Sequence, residues 1–179
     1  MRVGCNRGVF WYWETALVQE LYKPLTPRKG HFISGKYDQY KRDIPHTCLA
    51  EAYRGLMRQI LSEDKEIIAD WRKRFLSALG SNAQVMIDII PELELIIGKQ
   101  PPVAKLETIE SQNRFFKIFS RFVLAIQSPE YPLVMFMDDL QWADSTSIHG
   151  LTEYILNPDA GYSLSIIAYR DNEVDAIIH

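Results

Sequence analysis

Only two of the 179 residues are cysteines, Cys5 and Cys48, and they stand in unrelated contexts. This argues against a disulfide framework and favours a reducing compartment, so we expect a cytoplasmic protein. No apolar run approaches the roughly 20 residues that span a bilayer, and the N-terminus lacks the apolar core of a signal peptide. The net charge of -3 gives no electrostatic reason to expect nucleic acid. We therefore expect neither a membrane nor a nucleic acid as a partner.

The most informative segment is residues 133–139, where five apolar residues lead directly into Asp138 and Asp139. A continuous apolar run suits a strand that is covered on both faces of a parallel sheet. In open α/β sheets the ligand crevice lies at the carboxyl edge, where these acids would be delivered. Paired carboxylates at that edge hold Mg²⁺ and orient the attacking water in P-loop nucleotide hydrolases. The pattern is typical of a Walker B motif, although aspartate also favours an ordinary strand-end turn.

Strand and helix patterns alternate along the rest of the chain. Strands are predicted at 31–35, closed by Gly35, and at 164–169. Helices are predicted at 15–25, 47–62 with Thr47 as a possible cap, 64–79, 82–97 with a break at Pro91, 110–127 and 145–156. This order predicts an α/β fold with three layers, a parallel sheet and a helical insertion around residues 47–98. Together with the paired acids at 138 and 139, it predicts a P-loop NTPase domain. The length fits a single domain over residues 1–179, which we expect to be a fragment because it ends abruptly.

A Walker B motif needs a phosphate loop of the form Gly-x-x-x-x-Gly-Lys-[Ser/Thr], and that loop is incomplete here. Gly8 and Thr15 keep its spacing, but Trp13 stands at the second glycine and Glu14 at the lysine. The glycines let backbone N–H groups approach the phosphates, and the lysine reaches the terminal ones. The bulky indole of Trp13 would keep the backbone away from the phosphates, and the negative charge of Glu14 would repel them. We therefore expect residues 1–14 to be a degraded first strand and phosphate loop that binds nucleotide poorly.

The codons suggest one origin for this loop. Tryptophan has a single codon, TGG, so a one-base shift of the reading frame necessarily turns Trp11 and Trp13 into glycine. The same shift turns Glu14 into lysine or arginine, and it permits Gly-Tyr-Ser-Gly-Ile-Gly-Lys immediately before Thr15. A local frameshift, from mutation or sequencing error, is therefore a hypothesis that the coding DNA across codons 3–16 tests.

With these motifs in place, the chain resembles the P-loop ATPase domain of the STAND class, in particular the AAA-like module of large bacterial signalling proteins. Those proteins carry a Ser/Thr kinase domain before the ATPase and often a GAF and histidine kinase region after it. The resemblance implies Mg²⁺ and ATP as ligands and the other domains of a parent signalling protein as partners. The matching stretches are residues 15–25, 32–39, 90–98, 111–115, 138–144 and 168–174.

The resemblance also implies a role for each matching residue. Thr15 corresponds to the Walker A hydroxyl on Mg²⁺, and Gly8 to the surviving first loop glycine. Asp138 corresponds to the acid that binds Mg²⁺, and Asp139 to the catalytic acid that orients water. Arg170 corresponds to a catalytic sensor that faces the γ-phosphate and stabilises transition-state charge.

Simpler interpretations remain open at this point. Arg170 could pair with a neighbouring acid, and Thr15 could be only a helix cap. The whole chain could be a non-enzymatic remnant or a protein-interaction module that retains the fold, and Glu14 together with Trp13 favours this rival if both are truly translated. A protein kinase is excluded for this stretch, because it has neither a His-Arg-Asp catalytic loop nor an Asp-Phe-Gly motif.

Overall fold

A computed structural model describes residues 30–41, 46–104 and 108–170. Within these ranges β1 (His31–Lys36), β2 (Leu133–Asp138) and β3 (Ser163–Ile167) form one parallel sheet in the order β1-β2-β3. The helices are α1 (Thr47–Leu61), α2 (Lys65–Leu79), α3 (Ala83–Ile87), α4 (Glu92–Ile97), α5 (Thr108–Ile126) and α6 (Ser145–Ile155). Short 3₁₀ turns lie at Gln39–Lys41, Gly80–Asn82 and Leu140–Trp142. The predicted α/β class with a parallel sheet is confirmed.

The burial of the middle strand, β2, accounts for its continuous apolar sequence. Its first five residues are buried. The odd-numbered apolar side chains of β2 join the large core under the helices, whereas Val134 and Phe136 pack with Phe32 on the opposite face. Both faces of β2 are therefore covered, and strand β2 has the bounds that its hydrophobic run predicts.

The helical stretch predicted at residues 47–98 lies between β1 and β2, as expected. Its core is aromatic: the Phe122 ring of α5 stacks on Phe75 of α2 at 5.4 Å between centroids and meets Tyr53 of α1 edge-on at 5.3 Å. All three side chains are fully buried. Offset and edge-on pairs of this kind add to the burial energy of the rings. The phenylalanine stripe of α5 is thus packing, as the sequence indicates.

Two local predictions differ from the structure. Helix α1 is preceded by His46 in the left-handed conformation (φ 63°), not capped by Thr47, and the His46 ring packs on Phe115 with 4.0 Å between centroids. Gly35 does not close β1, which continues to Lys36. A Cβ at Gly35 would lie 2.6 Å from Cys48 Sγ, so this glycine lets α1 approach the strand.

The predicted strand at 164–169 is β3, which runs from Ser163 to Ile167. The predicted helix at 15–25 and the whole segment 1–14, including Gly8 and Thr15, lie outside the described residues. Among the helices of the described ranges, none is both long and apolar enough to cross a bilayer.

Candidate functional site

The carboxyl edge of the sheet brings a cation and two acids together. Parallel pairing places Lys36, the last residue of β1, opposite Asp138, the last residue of β2. Lys36 Nζ lies 3.0 Å from Asp138 Oδ2 and 3.0 Å from Asp139 Oδ2. The two acid side chains are 15% and 13% exposed, against 54% for Lys36. Hydrogen bonds that Lys36 donates to Asp138 and Asp139 raise the pKa of its ammonium and outweigh partial desolvation.

The backbone at Asp139 is left-handed and contributes a hydrogen bond to the Asp138 carboxylate. Asp139 has φ 53° and ψ 42°, a left-handed conformation that aspartate tolerates better than most residues. Its N–H donates to Asp138 Oδ1 at 2.8 Å. The sheet ladder continues to this point, because the Tyr37 N–H donates to the Asp138 carbonyl at 3.0 Å. The Asp138 carboxylate is therefore held by the main chain of its own turn.

A buried glutamine connects this pair to the end of β3. Gln141 Nε2 donates to Asp139 Oδ1 at 3.0 Å, and Gln141 Oε1 accepts the Arg170 N–H at 3.2 Å. Arg170 Nε lies 3.7 Å from Asp139 Oδ1, with its side chain 56% exposed. The structure thus brings together Asp138, Asp139 and Arg170, the three sequence-predicted site residues that lie within the described ranges.

Two members of this network, Lys36 and Gln141, are not assigned a role by the sequence. Lys36 could have been found from its place at the carboxyl end of a strand, the edge where the acids were expected. Gln141 follows the acids within the Asp138–Asp144 stretch, but nothing in its spacing indicates that it joins Asp139 to Arg170.

Asp144, the third nearby acid in sequence, is engaged elsewhere. It is the N-cap of α6, where Oδ1 accepts the Ser147 N–H at 2.8 Å and Oδ2 accepts the Ser147 hydroxyl. Capping of this kind satisfies a helix N–H that has no partner within the helix. Asp144 therefore positions α6 after the acid pair and is not a further ligand.

The donor set fits a hard divalent cation. Mg²⁺ in proteins is held by one or two carboxylates and completes its shell with water and substrate phosphates. Asp138 Oδ2 and Asp139 Oδ2 already converge on one positive centre, the Lys36 ammonium. In the part of the chain that the structure describes, no group of three or more His, Cys, Asp or Glu could hold a metal. The arrangement matches an open site and not a closed protein cage.

Comparison with known proteins agrees with this geometry. A family model described as an AAA ATPase domain matches residues 15–167. Hybrid signal transduction histidine kinase G of Dictyostelium discoideum is 37% identical over 134 residues, which are 75% of this chain and 4% of that protein. Histidine protein kinase 1 of Candida albicans is 23% identical over 157 residues, covering 75% of this chain and 6% of that protein. No solved structure matches significantly.

The chain therefore spans only a small part of each of these relatives. The matched family region contains Lys36, Asp138, Asp139 and Gln141, and it begins at Thr15. Since that region covers most of the 179 residues, the chain belongs to the AAA ATPase domain family.

Proposed function

We propose that this chain is an ATP-binding regulatory domain of a larger signal-transduction protein, and that its degraded phosphate loop weakens nucleotide binding. The observation that carries the proposal is the convergence of Asp138 and Asp139 at the carboxyl edge of a parallel sheet. The family generally binds ATP with Mg²⁺. Two relatives named as histidine kinases, each far longer than this chain, support the signalling context.

In this proposal each residue of the edge has one task. Mg²⁺, when bound, neutralises phosphate charge. Asp138 would hold it together with the Thr15 hydroxyl. Asp139, fixed in place by Gln141, would orient the attacking water. Arg170 would stabilise the charge that develops on the transferred phosphoryl group.

Three finer assignments rest on the resemblance alone: membership of the STAND class, association with a Ser/Thr kinase domain and a bacterial source. A cytoplasmic location is proposed from the low cysteine content. Coupling of ATP binding to a conformational switch belongs with the first three, since contacts to a γ-phosphate can order one state of a domain and their loss can release it.

The weakness of binding is inferred from Trp13 and Glu14. Glycine at position 13 would let the backbone approach the phosphates, and lysine at position 14 would donate charge-assisted hydrogen bonds worth about 1.5–3 kcal/mol. Loss of the lysine alone therefore corresponds to roughly 10- to 100-fold in affinity. The same two residues favour the rival function, a non-enzymatic remnant or protein-interaction module that keeps the fold.

Calorimetric titration with MgATP tests the proposal on two chains, the native one and a repaired variant carrying Trp11→Gly, Trp13→Gly and Glu14→Lys. We expect the repaired chain to bind at least about tenfold more tightly than the native chain. Equal binding by both chains would show that the aromatic loop does not impair the site. Binding by neither chain would support the non-enzymatic alternative.

A further inference from the structure

In both acids of the site, the two carboxylate oxygens have different partners, and the arrangement is the same in Asp138 and Asp139. Each Oδ1 accepts a hydrogen bond from within its own turn: Asp138 Oδ1 from the Asp139 N–H, and Asp139 Oδ1 from Gln141 Nε2. Each Oδ2 contacts Lys36 Nζ at 3.0 Å. The Oδ1 atoms therefore fix the carboxylates, with Arg170 Nε a further 3.7 Å from Asp139 Oδ1. The two Oδ2 atoms share the single positive charge of Lys36.

We propose that Lys36 is the resident counter-ion of this site, and that a divalent cation binds there only by displacing Lys36 from the two carboxylates. This inference rests on the proposed function, because it takes Asp138 as the Mg²⁺ ligand and Asp139 as the acid beside it that orients the attacking water. It adds that Lys36 sets the affinity of the site for the metal and protects the acid pair when no metal is present.

Simple electrostatics supports the exchange. Two carboxylates that converge on one point repel each other unless a cation lies between them. An ammonium and a divalent cation cannot both lie against Asp138 Oδ2, since like charges a few ångströms apart repel strongly. Lys36 can leave, because its side chain is half exposed and a lysine stem is long and flexible. Removal of the competing charge should strengthen metal binding by about tenfold.

The chain offers a matched control for an ordinary surface ion pair. Lys73 Nζ lies 3.2 Å from Asp70 Oδ1 on α2, with both side chains largely exposed. Exposed pairs of this kind contribute little, and Lys73 contacts one acid where Lys36 contacts two. Lys73→Met therefore makes the same chemical change as Lys36→Met at a site that binds no metal in this proposal.

The experiment is a Mn²⁺ titration of the full chain, followed by paramagnetic broadening of the Asp139 amide signal in NMR spectra. Native, Lys36→Met, Lys36→Arg and Lys73→Met chains are compared. We expect the Mn²⁺ affinity of Lys36→Met to exceed that of the native chain by about tenfold. Lys36→Arg, which keeps the charge, and Lys73→Met should both match the native chain. Unchanged or weaker Mn²⁺ binding by Lys36→Met would overturn the proposal.

A second readout is thermal stability. In buffer containing EDTA, Lys36→Met should have a lower Tm than the native chain, and Mg²⁺ in excess over the EDTA should restore it, whereas Lys73→Met should show neither effect. An unchanged Tm in EDTA would count against the counter-ion role. Failure of the proposed function is separable: the repaired phosphate-loop variant would then not bind ATP, whatever the Mn²⁺ result. Conversely, ATP binding without any Mn²⁺ effect at Asp139 would reject this inference alone.

Discussion

Replacing His31 with phenylalanine should reduce the amount by which the free energy of unfolding falls when the pH is lowered from about 7.5 to about 5. The His31 ring stacks on Tyr131 with 5.8 Å between centroids and meets Trp71 edge-on at 5.4 Å. Burial, and secondarily the positive charge of Arg74, lower the pKa of His31 from 6.5 to about 4. Arg74 lies over the Trp71 ring at 4.4 Å, so a protonated His31 would share its aromatic neighbour with a second cation.

The sign and size of the effect follow from linkage. The pKa of His31 is lower in the folded state, so the unfolded chain binds more protons between about pH 6.5 and pH 4. The stabilisation is therefore complete above that window and is lost as the pH falls through it. A shift of about 2.5 units corresponds to at most about 3.4 kcal/mol, of which about 2 kcal/mol is lost between about pH 7.5 and pH 5.

The assay is urea unfolding of three chains at about pH 7.5 and about pH 5: native, His31→Phe and His149→Phe. Phenylalanine keeps the ring contacts but cannot be protonated, and His149 is an exposed histidine that serves as the control. The native chain and His149→Phe should each lose about 2 kcal/mol more than His31→Phe over this range. Equal losses in all three chains would refute the reasoning, because other titrating groups would then account for the whole dependence.

Three further substitutions test the packing and capping around the site by urea unfolding. Gly150→Ala should lower the free energy of unfolding by about 1–3 kcal/mol, because a Cβ there would lie 2.7 Å from Phe116 Cε1. Gly55→Ala in α1 should instead raise it by about 0.5–1 kcal/mol, since nothing lies within 4 Å of the new Cβ. If both variants changed the free energy of unfolding in the same direction, the described packing around these glycines would be contradicted. Asp144→Ala should cost about 1 kcal/mol through loss of the α6 cap, and an unchanged stability would show that the cap contributes nothing.

Elements whose limits are set by local chemistry were predictable from the sequence. The first five residues of β2 are all apolar, as suits a strand that is buried on both faces. The end of the helix predicted at 82–97 is confirmed, because α4 ends at Ile97 and Gly98 follows with a φ of 77°, which glycine adopts without strain. The N-terminus of α1 was not predictable, since the residue before the helix is His46, which is left-handed, makes no side-chain cap and packs on Phe115 from a distant helix.

The candidate site was predictable only in part. Asp138 and Asp139 can be recognised in the sequence because they are adjacent and follow directly on a buried apolar strand. The contact of Lys36 with Asp138 joins residues 102 positions apart, and only the register of β1 on β2 creates it. The placement of Arg170 beside Asp139 likewise depends on how β3 pairs with β2. Sequence patterns identify the polar residues at the end of a strand. The residues that they contact on other strands are known only once the strand order and register are known.

The most direct test of the account is the Mg²⁺ dependence of ATP binding in the repaired chain, measured by calorimetry with and without Asp138→Asn. Asp144→Asn is the matched control, because asparagine also caps helices and Asp144 contacts α6 and not the metal position. We predict that Mg²⁺ tightens ATP binding in the repaired chain and in Asp144→Asn, and that Asp138→Asn abolishes this tightening. A Mg²⁺ dependence that survives Asp138→Asn would contradict the assignment of the metal site to the carboxyl edge of the sheet.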